Sequence, residues 1–304
     1  MNDKQANTQE PELVDEQLAE QSQELVDEPD EDVEEGFTVD EEAANFYWED
    51  PPDLQFEDIG GYPDIKDGLQ KKVIKPDLGQ TDLYEKFNVE PASGILLHGP
   101  PGTGKTMFAR ALANSLGRDY IELSQADLTH NHINKSGRII KQLFVEAQDN
   151  NGVVLIDEAD ILFGDRANDA NHTEDSKVTN TFLRYMSLED TNFIIILTTN
   201  ARDSMDAAAT RSGRIDVEFE VGLPNKEARI EIIKLELLDV PHDLTINNVR
   251  NVAKHTEGLS GADLVSIIEN SKFVAIDRKA DHMNFSDLQG GYKQFKAMKK
   301  GVNK

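Results

Sequence analysis

The chain has 304 residues, a formal net charge of −27 and 38% hydrophobic residues, enough for one large domain or two modest ones with a real core. It contains no cysteine, which excludes disulfides, iron–sulfur clusters and thiolate catalysis. No apolar run approaches the ~18 residues that span a bilayer, and the first residues lack the basic and apolar regions of a secretory signal, so a cytoplasmic protein is expected.

The charge is unevenly spread. Residues 1–50 hold 19 acidic side chains against Lys4 alone, a net of −18, which leaves −9 for the other 254 residues. A salt-adapted protein would be acidic throughout. Residues 1–53 are instead expected to be a disordered acidic tail and linker, because so few large apolar groups cannot offset the chain entropy lost on folding. The string ELVDE occurs twice there, at Glu12–Glu16 and Glu24–Glu28; it is either a repeated docking motif or a product of the acid-rich composition, and the composition favours the second. Phe46, Tyr47 and Trp48 break the acidic run just before Pro51 and Pro52, and are expected to anchor the tail to the folded domain or to meet a partner.

From residue 54 short apolar runs alternate with helical patterns. Ile95–His98, Tyr120–Leu123, Val153–Ile156 and Phe193–Leu197 are predicted buried strands, with helices such as Thr106–Leu116 and Ser136–Gln148 between them. Such alternation predicts an α/β domain over 54–224, a parallel sheet covered by helices on both faces. Beyond Pro224 the strand pattern stops, and 227–238, 245–256, 261–278 and 286–300 all have helical patterns, predicting a smaller helical domain over 225–304. Five lysines and no acid follow Gly291.

The strongest chemical motif is GPPGTGKT: Gly99, Pro100, Pro101, Gly102, Thr103, Gly104, Lys105 and Thr106, between a predicted strand and a predicted helix whose first turn includes Met107. Glycines let backbone N–H groups curl around phosphates, and a helix N-terminus adds a favourable dipole. Lys105 would reach the β- and γ-phosphates, and the Thr106 hydroxyl would help to hold Mg²⁺. About fifty residues on, the strand Val153–Ile156 runs into Asp157 and Glu158, at the strand end where open α/β sheets bind ligands. Asp157 can hold the metal and Glu158 can polarise an attacking water, while Asp160 is expected to be structural. The strand from Phe193 is followed by Thr198, Thr199 and Asn200, whose amide could position the same water or simply make a turn. Arg211 and Arg214 follow in TRSGRID, either a solvated surface pair or arginine fingers.

These motifs and their order resemble the AAA+ ATPases, in the branch that holds the proteasomal motor subunits, the ubiquitin-dependent segregases, the metalloprotease motors and the microtubule-severing enzymes. The resemblance covers roughly residues 54 to 289. FEDIGG at Phe56–Gly61 resembles the opening box, which implies that Asp58, Ile59 and Gly60 border the adenine; LIDEAD, TTN and the run from Met205 to Asp216 match the acidic motif, polar sensor and second region of homology. GLSGADL at Gly258–Leu264 resembles the lid segment, implying that Gly261 and Ala262 close over the nucleotide. The resemblance implies a P-loop NTPase fold with a parallel five-stranded sheet and a small C-terminal helical lid domain. It further implies Mg²⁺-dependent ATP hydrolysis in a ring, commonly a homo-hexamer, with Arg211 and Arg214 acting on the neighbour's nucleotide.

The sequence also departs from that pattern. Where threading members present an aromatic–hydrophobic–glycine pore loop, this chain places His132, Ile133 and Asn134, leaving open whether it threads substrate. His130 and His132 read as a solvated pair rather than a metal site. Ser187–Leu188 stands in place of the Asp-Gly pair that relatives use to report nucleotide state between subunits, and Glu236 aligns with a histidine near the nucleotide. There is no HExxH, which argues against a fused metalloprotease.

The expected function is therefore an ATP-driven motor that remodels or unfolds protein clients, recruited by the acidic tail or an adaptor. One alternative is an ATP-dependent switch or assembly factor that does not thread substrate. Another is a nucleic-acid-associated loader, against which the pI of about 4.5 and the lack of a basic stripe both count.

Overall fold

The structure is a computed structural model, and it describes residues 46–128, 135–163, 173–188, 191–205 and 214–302. Residues 1–45 of the expected disordered tail and linker, with the ELVDE repeat, the loop at His132–Asn134 and Arg211, lie outside the described residues, whereas residues 46–53 of that segment are described and residues 46–49 are tied to the folded domain.

Five parallel strands form one sheet: β1 (Gly94–His98), β2 (Tyr120–Leu123), β3 (Val153–Ile156), β4 (Ile194–Thr199) and β5 (Val217–Glu220), in the order β2-β3-β4-β1-β5. The central strands β3 and β4 are buried at every position, as a sheet covered on both faces requires. Side chains alternate between two cores. One face packs on α1 (Pro63–Leu69), which continues through a wider turn at Gln70–Ile74 into Lys75–Asp77, and on α3 (Lys105–Leu116); α2 (Asp82–Lys86) lies on the surface between them in sequence. The other packs on α4 (Gln125–Leu128), α5 (Lys135–Asp149), α6 (Ala159–Phe163) and α7 (Thr173–Tyr185), with Phe144 ringed by Phe182, Tyr185 and Phe193.

The expected elements are present with small shifts in their ends. The strand predicted to stop at Leu197 runs on through Thr199, because Thr198 and Thr199 continue the ladder opposite Leu97 and His98. Phe46 and Trp48 anchor the chain as expected. Both pack against the core beside α5, the Phe46 N–H and the Trp48 indole donate to Glu146 at 3.2 and 3.0 Å, and Glu49 pairs with Tyr120 on the edge strand β2. Tyr47 points to solvent.

After β5 the chain forms α8 (Lys226–Glu236), α9 (Ile246–His255), α10 (Gly261–Asp277) and α11 (Phe285–Val302) around a third core. Asn225, Thr245 and Ser260 each cap a helix by accepting a backbone N–H of its first turn. The buried Arg229 guanidinium donates to the carbonyls of Pro224 and Ala253, which fixes α8 at its entry and ties it to α9. Among the described residues no helix is long and apolar enough to cross a membrane.

Candidate active site

Strand register decides which side chains meet. His98 stands opposite Thr199 across β1 and β4, and Ile156 opposite Leu197 across β3 and β4. The residues that follow, Gly99, Asn200 and Asp157, therefore emerge at the same carboxyl edge of the sheet. Alternation then sorts them. Asp157 and Thr198 fall on the α3 face; Thr199 falls on the opposite face, where its hydroxyl donates to Asp160 at 2.6 Å. That bond gives Asp160 the structural role expected for it.

The loop from β1 to α3 turns through three glycines with positive φ: Gly99 at 140°, Gly102 at 74° and Gly104 at 100°. These are values that side-chain-bearing residues rarely adopt. Lys105, only 7% exposed, donates from its ammonium to the carbonyls of Gly99 and Pro100 at 3.0 Å and to Asn200 Oδ1 at 2.7 Å. Burial lowers its pKa, opposed by Asp157 and Asp160. Next along α3, the Thr106 hydroxyl donates to Asp157 Oδ2 at 3.1 Å. Glu158 takes a left-handed backbone, φ 55°, with its N–H donating to Asp157 Oδ1 at 3.1 Å.

Most of these groups line a cavity of about 590 Å³. At its polar end are Pro101 to Thr106, Met107, Asp157, Glu158 and Asn200; Asp58, Ile59, Gly60, Gly261 and Ala262 line it as well. Of the other expected site residues, Gly99 and Pro100 do not line the cavity and instead hold the Lys105 ammonium. Arg214 is set apart from it, with its Nε donating to Ser187 Oγ at 2.7 Å.

Several lining residues have no motif to announce them: Tyr62, Ile232, Leu235 and Val265; Thr198 and Thr199, which precede Asn200 in TTN, line the cavity as well. Glu236, singled out in the sequence only as a departure from the aligned histidine, lines it too. Ile232, Leu235 and Glu236 share one face of α8 by the 3-4 spacing of a helix, the one trace of them in the sequence. Tyr62 donates its hydroxyl to the Gly222 carbonyl at 3.0 Å, packs edge-on against Phe108, and is pushed up to a pKa of about 12 by burial.

The helical layer closes on the site through backbone contacts. The Ala262 N–H donates to the Gly102 carbonyl at 3.0 Å. A Cβ on Gly60 would stand 2.5 Å from the Ile232 nitrogen, so this position has room for glycine alone. The Gly61 N–H donates to Glu231 at 2.8 Å.

The arrangement fits a magnesium nucleotide. A glycine cradle and buried ammonium suit phosphates at one end, and the Thr106 hydroxyl with the Asp157 carboxylate is the hard oxygen set that Mg²⁺ takes. The apolar side chains of Ile59, Ile232, Leu235 and Val265 suit a base and sugar.

Comparison with known proteins gives the family. The family model for the ATPase family associated with various cellular activities (AAA) matches residues 95–223, and that for the AAA+ lid domain matches 248–290. A proteasome-activating nucleotidase of Methanopyrus kandleri is 34% identical over 246 residues, 79% of this chain and 56% of that protein. A cell division cycle protein 48 homolog of Archaeoglobus fulgidus is 32% identical over 231 residues, 75% of this chain and 31% of its own length. The 26S proteasome subunit RPT4 of Saccharomyces cerevisiae is 30% identical over 254 residues, 82% and 57%. The chain thus spans between about a third and three-fifths of the length of these relatives.

Proposed function

The chain belongs to the AAA family of ATPases, and from that premise we propose that it is a Mg²⁺-dependent ATP-hydrolysing protomer of a ring that remodels or unfolds protein clients. The observation that carries this reading is the convergence of Lys105, Thr106, Asp157, Glu158 and Asn200 on one cavity whose far wall is the helical layer.

Each residue has a role that follows from its position. Backbone N–H groups of Gly102 to Thr106 and the Lys105 ammonium would hold the β- and γ-phosphates. Thr106 and Asp157 would hold Mg²⁺, which when bound supplies charge neutralisation on the phosphate oxygens. Glu158 would polarise the attacking water, and Asn200, already tied to Lys105, would orient it beside the γ-phosphate. Asp58, Ile59, Gly60, Gly261 and Ala262 would enclose the nucleoside. Arg214, with Arg211, would serve the neighbouring protomer's nucleotide, so that a ring, taken as a homo-hexamer, is the active form. We place the boundary between nucleotide-binding and lid domains at 224/225, with the acidic tail or an adaptor recruiting clients in the cytosol.

Glu158→Gln tests the hydrolytic half: the variant should bind ATP, release phosphate slowly and retain clients in a pull-down. A tagged, stably folded protein tests the other half, and should lose its fold only with ATP. Intact ATPase activity with no unfolding of several substrates would favour the switch or assembly factor, the reading that His132–Ile133–Asn134, without the aromatic and glycine of threading loops, supports.

A further inference from the structure

Thr198 is a buried hydroxyl, 1% exposed, near the carboxyl end of the central strand β4. Because Ile156 pairs with Leu197, the next step of the ladder sets Thr198 beside Asp157, both on the α3 face. Its hydroxyl donates to Asp157 Oδ1, and its oxygen faces the Glu158 N–H at 3.4 Å. The same N–H donates to Asp157 Oδ1 at 3.1 Å. Oδ1 is thus held by two donors, one from β4 and one from the turn itself, while Oδ2 is turned to the Thr106 hydroxyl at 3.1 Å. A buried hydroxyl stays in such a place only with an acceptor, and a carboxylate makes that bond charge-assisted. The clasp also spans the left-handed backbone at Glu158, a conformation that surrounding contacts must enforce.

We propose that Thr198 is a positioning residue whose hydroxyl orients the Asp157 carboxylate toward Thr106, so that this pair presents a preformed Mg²⁺ site, and that holds the Glu158 backbone in place. This rests on reading the cavity as a magnesium nucleotide site. Thr198 acts on neither metal nor nucleotide directly; it acts through Asp157 and Glu158. Nothing else along β4 can do so, since Thr199 points to the opposite face and is engaged with Asp160.

The test measures binding of a fluorescent ATP analogue to the full chain over a range of Mg²⁺ concentrations, and in EDTA. Thr198→Val keeps the shape and removes the hydroxyl; Thr198→Ser keeps the hydroxyl. In the valine variant the Mg²⁺ concentration for half-maximal effect should rise about tenfold, the worth of one hydrogen bond to a charged group, with metal-free affinity unchanged. The serine variant should restore the wild-type value. Should the valine variant fail to fold, Thr198→Ala takes its place in the same titration. A wild-type chain that responds to Mg²⁺ beside a valine variant that responds identically overturns the inference alone, as does a serine variant as impaired as valine. A wild-type chain that binds no nucleotide overturns the reading of the site, and the inference with it.

Discussion

Lys105 Nζ lies 2.7 Å from Asn200 Oδ1, a bond between the first turn of α3 and the end of β4, 95 residues apart in sequence. It joins the residue proposed to bind phosphate to the residue proposed to orient water, so a change in either reaches the other.

Two substitutions separate those roles. Lys105→Ala removes a buried ammonium that has three oxygen partners, and should weaken ATP binding by about 100-fold or more, since each bond to a charged group is worth about 1.5–3 kcal/mol. Asn200→Ala leaves the ammonium with two carbonyls and should change affinity less than tenfold, while slowing phosphate release by about 10²–10³, the range for losing one preorganised polar group. Equilibrium binding and single-turnover phosphate release on both variants check this; equal losses in the two assays for Asn200→Ala would contradict it.

Gly60→Ala probes the closure of the helical layer. The added Cβ would meet the Ile232 backbone nitrogen at 2.5 Å and its Cα at 2.7 Å, atoms that cannot swing aside. Either α8 moves or the Phe56–Asp58 turn does, at a strain of about 1–3 kcal/mol. Nucleotide affinity should fall roughly tenfold or more, and ATP should lose part of its effect on thermal stability. Thermal shift with and without nucleotide reads both.

How far the sequence foretold this site follows from what each part needs. Phosphate and metal chemistry confines Gly99–Thr106 and Asp157–Glu158 to contiguous runs, so they are legible without a fold. The rest of the lining, with Tyr62, Ile232, Leu235, Glu236 and Val265, comes from three separate elements, with only size and apolarity asked of most of them. The edge strand β5 escaped the residue patterns for a related reason. Paired on one side only, it alternates a buried Val217 with exposed Glu218 and Glu220, and lacks the continuous apolar run that marked its buried neighbours. Thr198 was legible as a residue beside Asn200, but its role depends on register across β3 and β4, which no local pattern encodes.

Trp48 is the only tryptophan in the chain, which makes its contact with Glu146 observable. Glu146→Ala removes the acceptor of the indole and of the Phe46 N–H, and should cost about 1–2 kcal/mol. Tryptophan emission should move to longer wavelength as the ring leaves its place over Gly152. An unchanged spectrum would mean that apolar packing alone holds residues 46–49.

Acid should loosen the helical layer in part through Asp287. Asp287, 1% exposed, is held below the ordinary carboxyl value chiefly by its hydrogen bonds from Arg278, and caps the start of α11 by accepting the Asn284 N–H at 2.8 Å. Its folded pKa lies below its unfolded one, so the stability it confers is present above the unfolded value of about 3.8 and is lost as pH falls through the folded value. Asp287→Asn should lower the melting midpoint at neutral pH by several degrees and flatten the loss of stability below pH 3.8. Thermal denaturation between neutral pH and pH 3 checks both.

Arg214 lies outside the cavity that its own chain lines, bonded to Ser187 two residues past α7, and the proposed trans role makes a prediction that no single variant can. Arg214→Ala alone should bind ATP normally and lose hydrolysis about 10³-fold or more, the scale of arginine fingers. Glu158→Gln alone should also be inactive, because it lacks the polarising carboxylate. In a ring assembled from both, some interfaces pair an intact Glu158 from one variant with an intact Arg214 from the other, and those interfaces should hydrolyse ATP. Mixing two dead variants should therefore restore activity, up to about a quarter of wild type for random assembly in which every interface acts alone; this fraction follows from counting neighbours and rests on the finger acting across the interface. Phosphate release from co-refolded mixtures at several ratios gives the answer. A mixture no more active than its components would place Arg214's contribution within its own chain, through Ser187 and α7.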